Sequence, residues 1–235
     1  ALRHQHDGHN QPGQQVANEI VAKGRTAVAL VGDVAAEGAP TRLVADAEKA
    51  LGPLDVLVNN AFKAGQAVIA EIDDAGWDEE LAVTLRAAFS MAKAVLPGMT
   101  ERGRGAIVNI ASVNGLMTFG NPGYSAAKAG LLSLTRSLAT EYGPMGIRTN
   151  AVSPGTVQTE NSSWQRRVAQ DPQIFEKLKR WYPVGRVGQP DDIAAAIAFL
   201  AADEAAFVNG TNLVVDGGLT AGMAPMIEEL IPGDY

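Results

Sequence analysis

The pair Tyr124 and Lys128 is the strongest sign of chemistry in the sequence. The two residues stand four positions apart in Tyr124-Ser-Ala-Ala-Lys128, so on a helix they share one face. An ammonium beside a phenol favours the phenolate and lowers the pKa of the tyrosine from about 10. Such a tyrosine exchanges protons with an alcohol or ketone near neutral pH. A chance Tyr and Lys on a helix surface is the competing interpretation, and the pair alone does not exclude it.

Other small or polar groups follow predicted strands and point to the same place. Ser112 lies twelve residues before Tyr124, just after an apolar run, and a serine hydroxyl there can hydrogen-bond a substrate carbonyl. Asn59-Asn60-Ala61 follows the preceding run and Pro154-Gly155 the next one. Ligand sites of α/β folds lie at the carboxyl ends of the strands. Each group alone also fits ordinary turn chemistry, but together they predict one crevice.

The elements that must position these residues alternate between apolar runs and helical periodicity. Continuous apolar runs are typical of strands covered on both faces. The pattern predicts an α/β fold, a Rossmann-like doubly wound and mostly parallel sheet in a single domain. The predicted strands are Ala27–Val31, Leu54–Val58, Ala106–Ile110, Arg148–Val152 and Asn212–Val215. The predicted helices are 13–24, Thr41–Leu51, Trp77–Leu96, Tyr124–Tyr142 and Ile193–Ala202, with an irregular region between Pro154 and Gly188.

Composition excludes several classes of protein and site. Of 235 residues, 19 are Lys or Arg and 26 are Asp or Glu, a net charge of −7 that disfavours nucleic-acid and anionic-membrane partners. The sequence has no Cys, which excludes disulfides, thiolate metal ligands and a cysteine nucleophile. No stretch approaches the roughly 18 apolar residues of a membrane span. We expect a cytoplasmic protein with a small-molecule partner.

Taken in order and spacing, these pieces resemble the short-chain dehydrogenase/reductase family over residues 13–220. The matching motifs are Gly32-Asp33-Val34, Asn59-Asn60-Ala61, Ser112, Tyr124-x-x-x-Lys128, Asn150-x-x-x-Pro154-Gly155 and Asp216-Gly217-Gly218. The resemblance implies an oxidoreductase that transfers a hydride between NAD or NADP and a secondary alcohol or ketone.

The resemblance also implies a role for each matching residue. Tyr124 is the general acid/base, Lys128 lowers its pKa and holds the nicotinamide ribose, and Ser112 polarises the carbonyl. The remaining implied cofactor contacts are Asn60, Ala61 and Val157 near the nicotinamide, Thr159 near its carboxamide, Pro154 and Gly155 beside them, and Asp33 and Val34 at the adenine.

The largest departure from the family is at the phosphate site. The Gly-rich turn Thr-Gly-x-x-x-Gly-x-Gly, which with a helix N-terminus holds the pyrophosphate, has no match in the sequence, nor does the second strand. Removing the first two strands leaves a gap of roughly 10 Å between Ala27–Val31 and Leu54–Val58. Three resolutions stay open: a segment of the working protein lies outside this chain, the third strand pairs with the fourth, or another subunit fills the gap.

Two smaller departures concern single residues. Thr84 stands where the family usually has an Asn that holds a water in the proton path to Lys128. Thr can hydrogen-bond but has a shorter reach. Phe62 replaces the glycine that usually follows Asn-Asn-Ala. Its side chain either narrows the nicotinamide pocket or packs outward, and the sequence does not choose.

The two ends of the chain are predicted to lie outside the domain. Residues 1–12 form a polar arm that carries His4, His6 and His9, for which a mobile arm is favoured over a metal site. Residues 221–235 form an apolar tail that we expect to pack on a neighbouring subunit. The resemblance implies a homo-oligomer, dimer or tetramer, associating through helices 77–96 and 124–142 and the last strand.

A second function, of another class, also fits the sequence. A relative that has lost nicotinamide binding would carry out cofactor-free proton chemistry at Tyr124 or serve as a non-catalytic assembly subunit. The missing Gly-rich turn supports it, and the retained Ser112, Tyr124 and Lys128 support the oxidoreductase.

Overall fold

Residues 11–65, 68–159 and 162–230 are described by the structure, a computed structural model. The strands are β1 (Val56–Asn59), β2 (Gly105–Ile110), β3 (Ile147–Pro154) and β4 (Asn212–Val215). The helices are α1 (Gln11–Ala22), α2 (Ala39–Leu51), α3 (Asp74–Leu81), α4 (Ala87–Arg102), α5 (Pro122–Tyr142), α6 (Ser162–Gln170), α7 (Ile174–Lys179), α8 (Pro190–Ala201) and α9 (Ala224–Leu230).

The four strands form one parallel sheet in the order β1-β2-β3-β4. Each strand pairs with the next in chain order, and Asn59 lies opposite Asn109 at the end of the β1–β2 pairing. Parallel neighbours need a crossover connection, and the helices between the strands supply it. The α/β Rossmann-like class predicted from the sequence is confirmed.

Apolar residues cover both faces of the sheet. On one face, α4 and α5 pack their buried side chains against β2 and β3, around Met99, Ile107 and Ile147. On the other face, α8 packs Ile193 and Leu200 against Val108 and Val152. Strands covered on both faces read as continuous apolar runs, which is why β2 and β3 could be predicted within about two residues.

The predicted strand Ala27–Val31 is wrong. These residues belong to no strand of the described chain, and they do not pair with β1. Leu30 packs beside the small cluster of Val34, Leu43 and Ala87, whereas Val31 is exposed. A short apolar run forms a strand only if another strand satisfies its backbone groups. The second of the three resolutions, third strand beside fourth, is therefore not what the structure has.

One edge of the sheet stays open within the described residues. There β1 pairs with β2 alone, and Val56 and Val58 on β1 are 44% and 39% exposed. An edge strand presents unpaired N–H and C=O groups, and apolar residues on it favour pairing with another strand. The two resolutions that remain, a segment outside this chain or another subunit, would each supply a strand at this edge.

The longest helical run is Asp74–Arg102, which joins α3 and α4 through a π-helical segment, Ala82–Arg86. By length and composition alone this run could cross a membrane, although no such segment was predicted from the sequence. The core helix of a globular fold can be equally long and apolar. The residues Met91, Val95 and Met99 of α4 are buried in the core beside β2, which is the behaviour of a core helix.

Some predictions fall outside the described residues. His4, His6 and His9 lie there, as does nearly all of the predicted arm 1–12, and so does the end of the tail. In the described part of the tail, α9 and the turn before it expose Met223, Met226 and Leu230. Packing of this tail on a neighbouring subunit stays a prediction.

Candidate active site

Ser112 is placed by the turn that follows β2. Its backbone is extended, and the next three residues form a 3₁₀ turn, Val113–Gly115, that Ser112 caps by accepting a hydrogen bond from the N–H of Asn114 at 3.1 Å. Gly115 lets this turn lie directly on α5. A Cβ at residue 115 would stand 2.9 Å from the backbone carbon of Lys128, so the close approach requires glycine.

The start of α5 is fixed by the same turn. Asn114 Nδ2 donates to the Gly120 carbonyl at 3.1 Å and to Ser125 Oγ at 3.2 Å. Asn121, the residue before the helix, has a φ of 49°, a left-handed conformation that asparagine adopts more readily than most residues. Pro122 then opens the helix. These contacts bring Tyr124, two residues into α5, within reach of Ser112.

The structure brings Ser112, Tyr124 and Lys128 together. The Ser112 side chain lies near enough to the Tyr124 phenol to act on its pKa, and Lys128 Nζ lies 5.4 Å from the centre of the Tyr124 ring. Burial raises the pKa of Tyr124 above its ordinary value, and the Ser112 side chain opposes part of that rise. The sequence predicts that Lys128 lowers the pKa of Tyr124, but in the structure the effect of burial is larger and has the opposite sign. The phenol is therefore neutral at pH 7.

The burial of Lys128 explains why this residue does not lower the pKa of Tyr124 as predicted. Its ammonium group is fully buried and donates to the carbonyl of Ile110, at the end of β2. Burial in the low-dielectric interior disfavours the charged form and lowers the pKa of Lys128 to about 7. Near neutral pH the lysine is therefore only partly charged, and its effect on the neighbouring phenol is correspondingly weaker.

A buried polar chain beneath the site was missed at the sequence level. Asn59 Nδ2 donates to Asn109 Oδ1 at 2.9 Å, Asn109 Nδ2 donates to Thr135 Oγ1 at 3.0 Å, and Thr135 donates to the carbonyl of Leu131. The chain ties the ends of β1 and β2 to α5, about two helical turns past Lys128. The sequence does carry a sign of this chain: Asn109 lies inside the apolar strand β2, and a buried amide without hydrogen-bond partners is costly.

Thr84 lies in the π-helical segment and is buried. Its hydroxyl accepts from the N–H of Lys63 at 3.0 Å and donates to the carbonyl of Lys63 at 3.1 Å. Thr84 is thus tied to the loop that follows β1 rather than to Lys128. Its predicted part in a proton path stays a prediction, and the contact found here is an anchor for that loop.

The loop after β1 carries Asn60, Ala61 and Phe62 to the edge of the site. Asn60 is exposed and Ala61 packs beside the cluster of Val34, Leu43 and Ala87. The ring of Phe62 stands edge-on to Tyr124, with 5.7 Å between ring centres. The ring thus contacts Tyr124 while half of its surface stays exposed, and its effect on a nicotinamide pocket stays a prediction.

Asp33 and Val34 are placed differently from the other predicted cofactor contacts. Asp33 Oδ1 accepts from the N–H of Ala35 at 2.8 Å and so caps its own turn. The side chain of Val34 is buried against Leu43 and Ala87. In this arrangement the Val34 side chain has no free surface for an adenine ring, so contact there would have to come from its backbone.

The segment after β3 is held in place by two contacts. The N–H of Thr156 donates to Tyr182 Oη at 2.9 Å, and Val157 forms a parallel bridge with Gly188. Gly155 packs closely against Asp216: a Cβ added at residue 155 would lie only 3.1 Å from the Cα and Cβ atoms of Asp216. Pro154 and Gly155 therefore lie beside the end of β4, Val157 lies beside Gly188, and Tyr182 is a buried anchor for this segment.

Comparison with known proteins agrees with this architecture. A family model described as Enoyl-(Acyl carrier protein) reductase matches residues 6–220. The crystal structure of an oxidoreductase of the short-chain dehydrogenase/reductase family from Burkholderia thailandensis is 42% identical, with a TM-score of 0.81, and the match covers 94% of this chain and 85% of that one. The chain belongs to the short-chain dehydrogenase/reductase family.

Two further relatives bear on function. The inactive 2-(S)-hydroxypropyl-CoM dehydrogenase 2 of Xanthobacter autotrophicus is 44% identical over 88% of this chain and 90% of its own length. A gluconate 5-dehydrogenase from Burkholderia cenocepacia, whose crystal structure holds NADP and tartrate, is 31% identical with a TM-score of 0.83, covering 92% of this chain and 84% of that one. The family thus places this short-chain dehydrogenase/reductase among oxidoreductases.

Proposed function

We propose that this short-chain dehydrogenase/reductase interconverts a secondary alcohol and a ketone with NAD or NADP. The observation that carries the proposal is the contact between Ser112 and Tyr124, with Lys128 Nζ beside the phenol. When bound, the nicotinamide nucleotide supplies or accepts the hydride. The NADP held by the gluconate 5-dehydrogenase relative supports a nucleotide of this kind.

In this proposal Tyr124 Oη carries the proton and Ser112 Oγ holds the substrate oxygen. The neutral phenol donates its proton to a carbonyl oxygen that Ser112 hydrogen-bonds, and the reverse reaction returns the proton to Tyr124. Lys128, when protonated, stabilises the phenolate that remains. The backbone carbonyl of Ile110 holds the ammonium in position beside the ring.

The described residues fit a nicotinamide better than they fit the rest of the nucleotide. Lys128 lies at the carboxyl end of β2, with Tyr124 beside it, and the 154–159 segment follows the neighbouring strand β3 at the same edge of the sheet, where α/β folds bind ligands. The sequence has no Gly-rich turn for the pyrophosphate, and Val34 is buried.

The decisive experiment is a calorimetric titration of the 235-residue chain with NADH and then with NADPH, followed by turnover assays on secondary alcohols and ketones. Saturable binding and turnover that depends on added nucleotide support the proposal.

The role of Tyr124 is tested by substitution. Tyr124→Phe keeps the ring but removes the hydroxyl and its proton, so we expect kcat to fall by about 10²-fold to 10⁴-fold. Tyr142→Phe is the matched control. Near-normal activity of Tyr124→Phe would show that the assigned mechanism is wrong.

A second function is favoured by one specific observation. The missing phosphate turn, together with a relative that is named inactive, fits a chain that has lost nicotinamide binding. Such a chain would perform proton chemistry at Tyr124 without a cofactor or act as an assembly subunit. If neither nucleotide binds, this candidate replaces the first. A cytoplasmic location and a homo-oligomeric state stay predictions under either function.

A further inference from the structure

Phe62 lies against both members of the Tyr124–Lys128 pair. Its ring centre is 5.7 Å from that of Tyr124 at an interplanar angle of 63°, and Lys128 Nζ is 5.7 Å from the centre of the Phe62 ring. An edge-to-face aromatic pair and a cation over a ring face are both favourable at these distances. The phenylalanine thus makes two attractive contacts with the residues proposed to do the chemistry.

The loop that carries Phe62 is anchored just beyond the ring. Thr84 binds both backbone groups of Lys63, and the N–H of Gly65 donates to Glu80 Oε1 at 2.5 Å. Lys63 Nζ also pairs with Glu79 at 2.5 Å. These contacts come from α3 and the π-helical segment, so tertiary structure, not loop preference, turns the ring inward.

The position of the ring restricts what reaches the pair. Lys128 is fully buried, whereas Phe62 is 50% exposed and contacts both members of the pair. The ring therefore occupies space next to Tyr124 and Lys128 that a ligand of both residues would approach. A glycine at residue 62 would leave that space open.

We propose that the Phe62 ring packs over Tyr124 and Lys128 and weakens the binding of a nicotinamide nucleotide. The proposal rests on the function proposed above, because it concerns the same site. The ring contributes to the dry surroundings of the pair and must give way when the ribose of a nucleotide approaches. Removing the ring therefore has two consequences, one on the pair itself and one on nucleotide affinity.

The first test needs no nucleotide. The chain has four tyrosines, which can be replaced by 3-fluorotyrosine and titrated by ¹⁹F NMR, with the Tyr124 signal assigned by its loss in Tyr124→Phe. In Phe62→Ala water reaches the phenol, so we expect the pKa of Tyr124 to fall by about one unit toward its ordinary value. Phe199→Ala, on α8 and 46% exposed, is the matched control and should leave it unchanged.

The second test is calorimetry with NADH and NADPH. Phe62→Ala should bind the preferred nucleotide about tenfold more tightly than the unsubstituted chain, a change of about 1.4 kcal/mol. Phe62→Leu, which keeps an apolar side chain without a ring, should lie between them, and Phe199→Ala should match the unsubstituted chain. Equal or weaker binding by Phe62→Ala would overturn the proposal, as would a Tyr124 signal that titrates as before. If no form of the chain binds nucleotide, the proposed function fails and so does the effect of Phe62 on nucleotide affinity, whereas the fluorotyrosine titration still decides whether Phe62 shields Tyr124.

Discussion

Lys128 is the largest side chain that the described part of the fold buries completely. Long charged side chains are almost never fully buried unless they are paired. Here the ammonium has a backbone carbonyl as hydrogen-bond acceptor and two aromatic rings nearby, but the bond is to a neutral group. Burial therefore lowers the pKa of Lys128 to about 7, which makes its charge sensitive to pH in the physiological range.

This burial predicts a particular dependence of stability on pH. In the unfolded chain Lys128 holds its proton up to its ordinary pKa of 10.5, and in the folded chain only up to about 7. Between these values the unfolded state binds more protons, so the free energy of unfolding should rise with pH, by up to about 1.4 kcal/mol per unit. Below pH 7 the cost of burying the charge is present in full. Raising the pH removes that cost.

Urea unfolding at about pH 7.5 and about pH 9.5 measures this dependence. In Lys128→Met, which keeps the length of the side chain without the charge, the rise should disappear. The raised pKa of Tyr124 affects stability only above its ordinary value of 10, outside this window. Equal slopes in the two proteins would show that Lys128 does not titrate in the folded chain near neutral pH.

At the scale of elements, the site depends on how closely the 3₁₀ turn Val113–Gly115 lies on α5. Ser112 precedes this turn, and Tyr124 and Lys128 lie on the helix, so the spacing between turn and helix sets the geometry of all three. A Cβ on Gly115 would meet backbone atoms of Lys128 and Ala129 at 2.9–3.0 Å. Backbone atoms of a packed helix cannot move aside easily, and the turn would have to shift instead.

Gly115→Ala should therefore impair the site and the fold together. We expect a loss of about 1–3 kcal/mol in the free energy of unfolding, typical of an added methylene in a packed region. We also expect a fall of about 10²-fold in kcat/KM from the displaced Ser112. Gly222→Ala is the control, since a Cβ there meets nothing within 4 Å. A Gly115→Ala protein as stable as the control would contradict the tight packing inferred here.

The sequence predicts elements whose pattern is local, and it fails where the outcome depends on a distant partner. β2 and β3 could be predicted because a strand covered on both faces must be apolar throughout, and the predicted helix Tyr124–Tyr142 differs from α5 only at its start, which lies two residues earlier. The strand at Ala27–Val31 could not be judged, because an apolar run does not reveal whether a partner strand is present. The orientation of Phe62 depends on contacts that the neighbouring loop residues Lys63 and Gly65 make 15 to 21 positions further along, which no local pattern contains.

The motif residues show the same division. The spacing of Tyr124 and Lys128 predicts that they share a helix face, and the structure places them so. The pKa of Tyr124 could not be predicted, since it depends on how deeply the surrounding elements bury the pair. The bonds that Asn109 and Thr135 make are also products of packing, although a polar residue inside an apolar strand marked Asn109 as unusual.

At the scale of the whole molecule, several large apolar side chains remain exposed on the described surface. Phe89, on α4, is 48% exposed, and it lies on the helix through which the family resemblance implies subunit contact. On α5, the exposed residues Ala126 and Ala129 are small enough for another helix to approach closely. A large contiguous apolar patch would mark a protein–protein interface, and the predicted subunit contact would require Phe89 to belong to one.

The assembly can be tested by substituting Phe89. Light scattering coupled to gel filtration should give the unsubstituted chain a mass of two or four subunits, and Phe89→Glu a smaller mass, because a charge would be buried at the contact. Leu51→Glu, at a site that is 45% exposed outside these helices, should leave the mass unchanged. A monomer in every case, or equal masses for both variants, would remove this helix face from consideration as an interface.

The open edge of the sheet has a consequence for the local opening of the molecule. β2 and β3 are hydrogen-bonded on both sides, whereas among the described residues β1 is bonded only to β2. Amide protons of β2 and β3 should therefore exchange with solvent only when the whole domain unfolds, and those of β1 through cheaper local openings. The loop with Phe62 continues directly from β1, so the cover over Tyr124 and Lys128 is attached to one of the least protected strands of the sheet.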